Sequence, residues 1–243
     1  MNSREQHVHI KPEFTQEGII EIRNAEFKIH QFQGTGYSLK SIGSIVDLVK
    51  RKGTSRNTVL FYTGEAVQVI LDDGIMDRPQ DRAYYDFCIS NEYSEWKKIL
   101  NTPLSQKDFI KFLQRRPEGE LPGIENLLVS IQYLKLATQM VGDYQYDDNN
   151  NLTFMFKVGD VEGSAKLPHV ITVNIPLLNE SDLITSLEIE LELNKPKSEN
   201  DKPTFVLTCP KLSRYLKEAT DYEIEKMKEA LPGYLILAGN MGR

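Results

Sequence analysis

Residues 67–113 read VQVILDDGIMDRPQDRAYYDFCISNEYSEWKKILNTPLSQKDFIKFL, and this stretch decides the fold. It combines an apolar strand pattern, paired aspartates, an aromatic strand pattern, a single tryptophan and a helix pattern after Ser105. β-Branched and aromatic residues favour strands, whereas apolar residues three and four positions apart favour an amphipathic helix. The stretch therefore predicts strands and helices that follow one another within one α+β domain.

Serines predict where two of the helices begin. Ser41 and Ser105 each precede an apolar run with helical spacing, where a serine oxygen accepts a backbone N–H bond. Gly53 and Pro117 predict the ends of these two helices. A capping-box spacing that begins at Thr220 predicts a bend in the last helix. The predicted helices span residues 42–52, 93–100, 106–116, 124–140 and 212–231.

Alternating apolar and polar residues predict the strands. The clearest strand is Leu187 to Leu193, whose apolar residues alternate with Glu188, Glu190 and Glu192. Hairpins are predicted over residues 19–32, 57–71 and 144–158, and single strands over residues 83–90, 204–208 and 233–239. This mixture predicts an α+β fold with one curved, mostly antiparallel sheet and helices packed on one face.

Length and composition predict one domain. A chain of 243 residues with 40% hydrophobic content can bury a full core. We predict a mobile N-terminal arm over residues 1–18 and a single α+β domain over residues 19–243. The arm has charged residues and histidines where a signal peptide would have an apolar run, so a cytoplasmic location is predicted.

Charge and cysteine content exclude several classes of protein. The formal net charge of -6 argues against a general nucleic-acid binder, although a local basic patch stays open. Two cysteines without paired spacing, Cys88 and Cys209, indicate neither a disulfide framework nor a zinc site. No stretch approaches the roughly 18 consecutive apolar residues of a membrane-spanning helix.

Three carboxylates are the first candidates for chemistry. Asp72, Asp73 and Asp77 follow a predicted buried strand, and carboxylate oxygens are suitable ligands for a divalent cation. The same Asp-Asp-Gly sequence is also typical of an ordinary turn, in which aspartate side chains accept local backbone bonds. The turn interpretation is the stronger one, so neither a metal site nor a cofactor is predicted.

Arginine and aromatic residues beside those aspartates are the better candidates for a binding site. Guanidinium groups engage phosphate oxygens, and aromatic rings stack on bases. The alternative is that Tyr85 and Trp96 belong to the core and the arginines to the surface. The predicted ligand-binding residues are Arg78, Arg82, Tyr84, Tyr62 and Trp96.

Two weaker candidates have simple structural alternatives. His7 and His9 have a spacing that could hold a metal, but they fall in the predicted mobile arm. The glycine loop Gly34 to Gly36 precedes a helix and could present N–H groups to a phosphate. It lacks the lysine-serine pair and the third glycine of nucleotide-binding loops, so ordinary loop flexibility is favoured.

The order of elements in residues 67–113 resembles the YfdQ-like family of bacteriophage and prophage proteins. The resemblance extends through Phe154 to Phe156, the Leu167-Pro168 step, the strand Leu187 to Leu193, and the last helix and strand. It weakens over residues 1–56, and Gly74 stands where the family pattern tends to place a histidine after the paired aspartates. The resemblance implies a single-domain phage accessory protein, made in the bacterial host cytosol, in a family without an established activity.

The leading functional hypothesis is a non-enzymatic counter-defence protein that binds and sequesters a small nucleotide immune signal. One alternative is an accessory factor of DNA metabolism that docks on a macromolecular partner through the glutamate stripe or the basic helix end Lys50 to Arg56. Another is a metal-dependent nucleotide hydrolase that uses the three aspartates. No catalytic residue is predicted, and neither a membrane nor nucleic acid in general is an expected partner. A homo-oligomer is expected because symmetric closure is common.

Overall fold

The structure is a computed structural model, and it describes residues 34–74, 80–136, 139–140, 145–147, 151–158, 161–194 and 204–241. The helices in this part of the chain are α1 Ile42–Lys52, α2 Asn91–Ile99, α3 Gln106–Leu113, α4 Ile124–Leu136 and α5 Leu212–Ala230. The predicted arm over residues 1–18 and the predicted hairpin over residues 19–32 lie outside the described residues.

Strands make up the rest of the regular structure in the described residues. They are β1 Gly36–Ser38, β2 Val59–Tyr62, β3 Ala66–Ile70, β4 Arg82–Asp86, β5 Leu104–Ser105, β6 Gln139–Met140, β7 Gln145–Tyr146, β8 Leu152–Val158, β9 Val161–Leu167, β10 Val170–Pro176, β11 Ile184–Asn194, β12 Thr204–Thr208 and β13 Leu235–Ala238. The predicted α+β class with mostly antiparallel strand pairing is confirmed. In the part of the chain that the structure describes, the strands are distributed over three hydrogen-bonded sheets.

One sheet has five strands in the order β1-β4-β3-β2-β13. Its central strand β3 is antiparallel to both β4 and β2, whereas β1 runs parallel to β4 and β13 runs parallel to β2. The hairpin predicted around Thr63 forms the β2–β3 pair, and the Thr63 hydroxyl oxygen accepts the N–H groups of Glu65 and Ala66 in the turn. The two edge strands come from distant parts of the chain.

The other two sheets are antiparallel. Four strands pair in the order β10-β11-β12-β5, and β8 pairs with β6, β7 and β9. The predicted alternation in β11 is confirmed, because Leu187, Ile189, Leu191 and Leu193 are buried while Glu188 and Glu192 are exposed. The predicted hairpin around residues 147–151 is the β7–β8 pair, in which Tyr146 aligns with Leu152.

The predicted serine caps of α1 and α3 are confirmed. The Ser41 oxygen accepts the Ser44 N–H, and the Ser105 oxygen accepts the Asp108 N–H at 3.2 Å. Ser90 also caps α2, because its oxygen accepts the Tyr93 N–H at 2.9 Å. Each bond spans three residues, so the signal is local, although the helix predicted over residues 93–100 begins earlier, at Asn91.

Helix α5 continues without a break from Leu212 to Ala230, so Thr220 does not cap a second helix, and the bend predicted near this residue stays a prediction. The Thr220 hydroxyl donates to the carbonyl oxygens of Leu216 and Lys217 within the helix. Threonine forms such bonds inside a helix as readily as it caps one, so the local pattern is ambiguous. The strand predicted over residues 83–90 ends at Asp86, and Ile89 forms an isolated bridge with Leu178.

Two hydrophobic clusters form the core, and α5 contributes to both. The first cluster packs α2, α3 and α4 against the antiparallel sheet β10-β11-β12-β5 and includes Ala219 and Leu216 of α5. The second packs α1 and the end of α5 against one face of the five-stranded sheet and includes Met227 and Leu231. Phe87 packs against both clusters, directly after β4.

Replacement of two capping serines by alanine should have unequal effects. Ser105→Ala removes an exposed cap and should lower the free energy of unfolding by about 1 kcal/mol. Ser90→Ala should cost about 2–3 kcal/mol, because the buried Ser90 hydroxyl also donates to the Pro176 carbonyl oxygen at 2.6 Å. Urea unfolding of the two variants measures the difference. Equal losses would show that the Pro176 contact contributes nothing.

Candidate functional site

The five-stranded sheet has two chemically different faces. The face toward α1 and α5, here called the inner face, carries the buried residues Leu60, Val67, Val69, Ala83 and Tyr85. Side chains alternate along a strand, so the residues between these point to the opposite side, here called the outer face. The outer face therefore carries Arg82 and Tyr84 from β4.

Strand register aligns the outer-face side chains in two rows. The first row crosses the sheet through Leu237, Phe61, Gln68, Tyr84 and Ser38, one residue from each strand. The second row runs through Leu235, Val59, Ile70, Arg82 and Gly36. Phe61 and Gln68 thus share a row with Tyr84, although neither was predicted as a site residue.

Arg82 and Tyr84 are both accessible on this face. The Tyr84 side chain is 39% exposed. Arg82 is half-buried, and its Nη2 donates to Gln80 Oε1 at 3.2 Å. In the same row as Tyr84, Gln68 Oε1 accepts the Met241 N–H at 3.1 Å, which leaves the amide nitrogen of Gln68 with its two donors.

Tyr62 lies on the other side of the sheet. It aligns with Val67, which aligns with the buried Tyr85, and all three point to the inner face. The Nζ atom of Lys228, on α5, lies 4.9 Å from the centre of the Tyr62 ring. The structure therefore does not bring Tyr62 together with Arg82 and Tyr84. Phe61, the residue before Tyr62 in β2, does lie on the same face as Arg82 and Tyr84.

Trp96 is a fully buried member of the first hydrophobic cluster. Its indole N–H donates to Glu120 Oε1, and its ring packs edge-on against Phe112 at 4.9 Å between ring centres. Arg116 lies between two carboxylates, with its Nη1 atom 3.5 Å from Glu120 Oε1 and its Nη2 atom bonded to Glu95. Trp96 thus joins α2 to the loop before α4, and it faces no solvent-accessible site.

Arg78 lies outside the described residues, as does Asp77. Of the five predicted ligand-binding residues, the structure brings together Arg82 and Tyr84. Alternation within β2 could have identified Phe61 as an outer-face residue, because its neighbours Leu60 and Tyr62 both point to the inner face. Its alignment with Tyr84 depends on the pairing of three strands, which no local pattern contains.

The paired aspartates organise a turn. Asp72 is buried, and its Oδ1 accepts the Asp81 N–H at 2.9 Å across the loop that follows β3. Asp73 accepts the Gln80 side-chain N–H, and its own N–H donates to the Asn57 carbonyl oxygen. Within the part of the chain that the structure describes, no group of three metal-ligating side chains is found. The contacts of Asp72 and Asp73 with nearby N–H groups are those expected when the aspartates stabilise a turn.

The glycine loop before α1 is hydrogen-bonded to the five-stranded sheet. Gly36 begins β1, and Thr35 N–H donates to Asp81 Oδ1 at 2.7 Å. The Arg82 N–H donates to the Thr35 carbonyl oxygen at 2.9 Å. The loop therefore fixes the edge of the sheet beside β4.

The two cysteines differ from each other. Both are free thiols, and Cys88 is exposed although it lies between two apolar residues in the sequence. Cys209 is half-buried, and burial raises the pKa of its thiol. A raised pKa disfavours the thiolate that nucleophilic chemistry needs.

The two surfaces proposed for a macromolecular partner already make contacts within the chain. In the glutamate stripe, Glu188 pairs with Lys211 at 2.5 Å, and Glu190 accepts the Thr208 hydroxyl at 3.4 Å. Lysine proximity lowers the pKa of the Glu188 carboxyl. At the basic end of α1, Lys52 donates to the Tyr37 hydroxyl.

Two cavities lie away from the outer face. A groove of about 450 Å³ is lined mainly by Phe87, Ile89, Leu178 and Leu216. A second cavity, of about 330 Å³, lies at the start of α4 beside Lys166. Neither is lined by Arg82, Tyr84, Tyr62 or Trp96.

Comparison of this chain with protein-family models, curated proteins and solved structures finds no match. The resemblance to the YfdQ-like family therefore stays a prediction. Among the described helices, none has the length and apolar character to cross a membrane.

Tyr85, on the inner face, should make stability sensitive to alkaline pH. Burial, and then nearby Cys88 and Glu223, raise its pKa to about 12, against about 10 in the unfolded chain. The folded state keeps the proton that the unfolded state releases between these values, so this contribution is complete below pH 10 and lost as pH rises toward 12.

Denaturant unfolding between pH 9 and 12 measures the effect, with Tyr85→Phe as the control that cannot ionise. The wild-type free energy of unfolding should fall more steeply than that of the variant, by at most about 1.4 kcal/mol per pH unit. Parallel pH profiles would contradict the assignment.

Proposed function

We propose that this protein binds a small dinucleotide-like ligand on the outer face of its five-stranded sheet and sequesters it without catalysis. In the context that the family resemblance implies, it would be a phage or prophage accessory protein and the ligand a host immune signal. The observation that supports binding is the placement of Phe61, Gln68 and Tyr84 in one row, with Arg82 beside Tyr84.

The separation of the two aromatic rings favours a ligand with two bases. Phe61 and Tyr84 belong to strands two apart in the sheet, which places their backbones roughly 10 Å from each other. That distance is too wide for the rings to sandwich one base, but each ring can stack on a different base. Each base–aromatic contact contributes about 1–3 kcal/mol.

Arg82 supplies the complementary charge. It lies two residues from Tyr84 on the same face of β4, a distance of about 7 Å along the strand. One bond to Gln80 leaves further guanidinium donors for a phosphate group. The net charge of -6 favours a short ligand with few phosphates over a nucleic-acid polymer, whose binding needs an extended basic surface.

Substitution of Tyr84 tests stacking. Tyr84→Ala should weaken binding of the best ligand roughly 5- to 150-fold, the equivalent of about 1–3 kcal/mol, whereas Tyr84→Phe should retain most of the affinity because it keeps the ring. Isothermal titration with cyclic dinucleotides, linear dinucleotides and ADP-ribose derivatives measures the affinities. Tyr222→Ala is a matched control, since Tyr222 is 37% exposed on α5.

Thermal stability and ligand recovery complete the test. A ligand that binds the native state must raise the melting temperature by mass action, and a sequestered ligand should be recovered intact after heat release. If no ligand of the panel raises the melting temperature, the proposal fails. Recovery of a cleaved product would replace sequestration by hydrolysis.

A further inference from the structure

The segment after β13 crosses the outer face of the five-stranded sheet. The Gly239 N–H donates to the Tyr62 carbonyl oxygen at 2.8 Å, and the φ angle of Gly239 is +136°, which glycine adopts without strain. Two residues later, the Met241 N–H donates to Gln68 Oε1 at 3.1 Å, on β3. Because β2 lies between β13 and β3, and the Gln68 side chain is on the outer face, the segment passes over β2 on that face.

The contact with Met241 fixes the orientation of the Gln68 amide. A backbone N–H group can only donate, so the amide atom that it meets must be the oxygen. The Nε2 atom of the same amide carries two N–H groups and cannot accept. What Gln68 offers to a ligand on the outer face is therefore mainly a pair of donors, since one lone pair of its oxygen is already used.

Gln68 lies between the two aromatic rings of the proposed site. Its strand, β3, is flanked by β2, which carries Phe61, and by β4, which carries Tyr84. Register places the three residues in one row, so the backbone of each aromatic residue is about 4.8 Å from that of Gln68. A base that stacks on either ring can therefore turn one edge toward the Gln68 amide.

Guanine and adenine differ at the base edge that a glutamine reads. Guanine offers two acceptors there, N7 and O6, whereas adenine offers the acceptor N7 beside an amino donor. A paired contact between glutamine and adenine needs Oε1 to accept that amino group. In this protein the Met241 N–H already donates to Oε1, so the adenine amino group would have to share this oxygen with another donor. Guanine needs only the N–H groups of Nε2.

We infer that Gln68, oriented by the Met241 N–H, is the specificity-determining residue of the outer face and selects a guanine-containing dinucleotide over its adenine counterpart. This inference rests on the proposed function, because it requires bases that stack on Phe61 or Tyr84. Met241 is a positioning residue in this arrangement. It acts through its backbone N–H group, which orients the amide that meets the base.

Isothermal titration with two cyclic dinucleotides, one with two guanines and one with two adenines, tests the selection. The wild-type chain should bind the guanine compound roughly fivefold or more tightly than the adenine compound. Gln68→Leu should remove this difference, because leucine has a similar size but no amide. Met241→Pro should reduce it by improving adenine binding, because proline has no N–H group and Oε1 is then released. The conservative Met241→Leu keeps the N–H group and should keep the preference.

Hydrogen exchange measured by NMR tests the contact without any ligand. The Met241 amide should exchange faster in Gln68→Leu than in the wild-type chain, and thermal melting checks that each variant is folded. If neither dinucleotide binds, the proposed function fails and this inference fails with it. If the compounds bind but the adenine compound binds equally well or better, the inference alone is overturned. The same holds if Met241→Pro keeps the full preference or if Met241 exchange is insensitive to Gln68→Leu.

Discussion

Helix α5 is the element on which the two halves of the structure depend. Its 19 residues span roughly 28 Å, which is long enough for its first turns to pack in one hydrophobic cluster and its last turns in the other. Ala219 is buried on the side of the antiparallel sheet, and Met227 is buried beneath the five-stranded sheet. Because the helix is continuous, its orientation in one cluster constrains its orientation in the other.

Polar contacts hold α5 in register with the antiparallel sheet. The loop between β10 and β11 reaches the helix through Ser181, whose hydroxyl donates to the buried Glu223 at 2.6 Å. Asp182 pairs with Lys226 at 2.8 Å and accepts the Tyr222 hydroxyl, and these partners lower the pKa of its carboxyl. Because Glu223 is buried, its bond to Ser181 is protected from the solvent screening that weakens the exposed Asp182 pair. The buried bond therefore contributes more to fixing the loop.

Coverage of the inner face by α1 and α5 gives the outer face its character. The two helices cover only the inner face, so several large side chains on the outer face are accessible to solvent. Among them are Tyr84, Leu235 and Leu237. Successive side chains along a strand point to opposite faces, so neighbouring residues lie on different faces of the sheet. Tyr62 and Phe61 are neighbours in sequence, but one packs near Lys228 and the other aligns with Gln68.

Local signals predicted the caps of α1 and α3, the hairpin of β2 with β3, and the alternating strand β11, because each depends on residues close in sequence. The pairings of β1 with β4 and of β13 with β2 join segments far apart in sequence, and neither has a local signature. Trp96 illustrates the same limit: its partner Glu120 lies 24 residues away, so an exposed stacking role and a buried packing role look alike in the sequence. Arg82 and Tyr84 were identifiable because one strand holds both with the correct alternation.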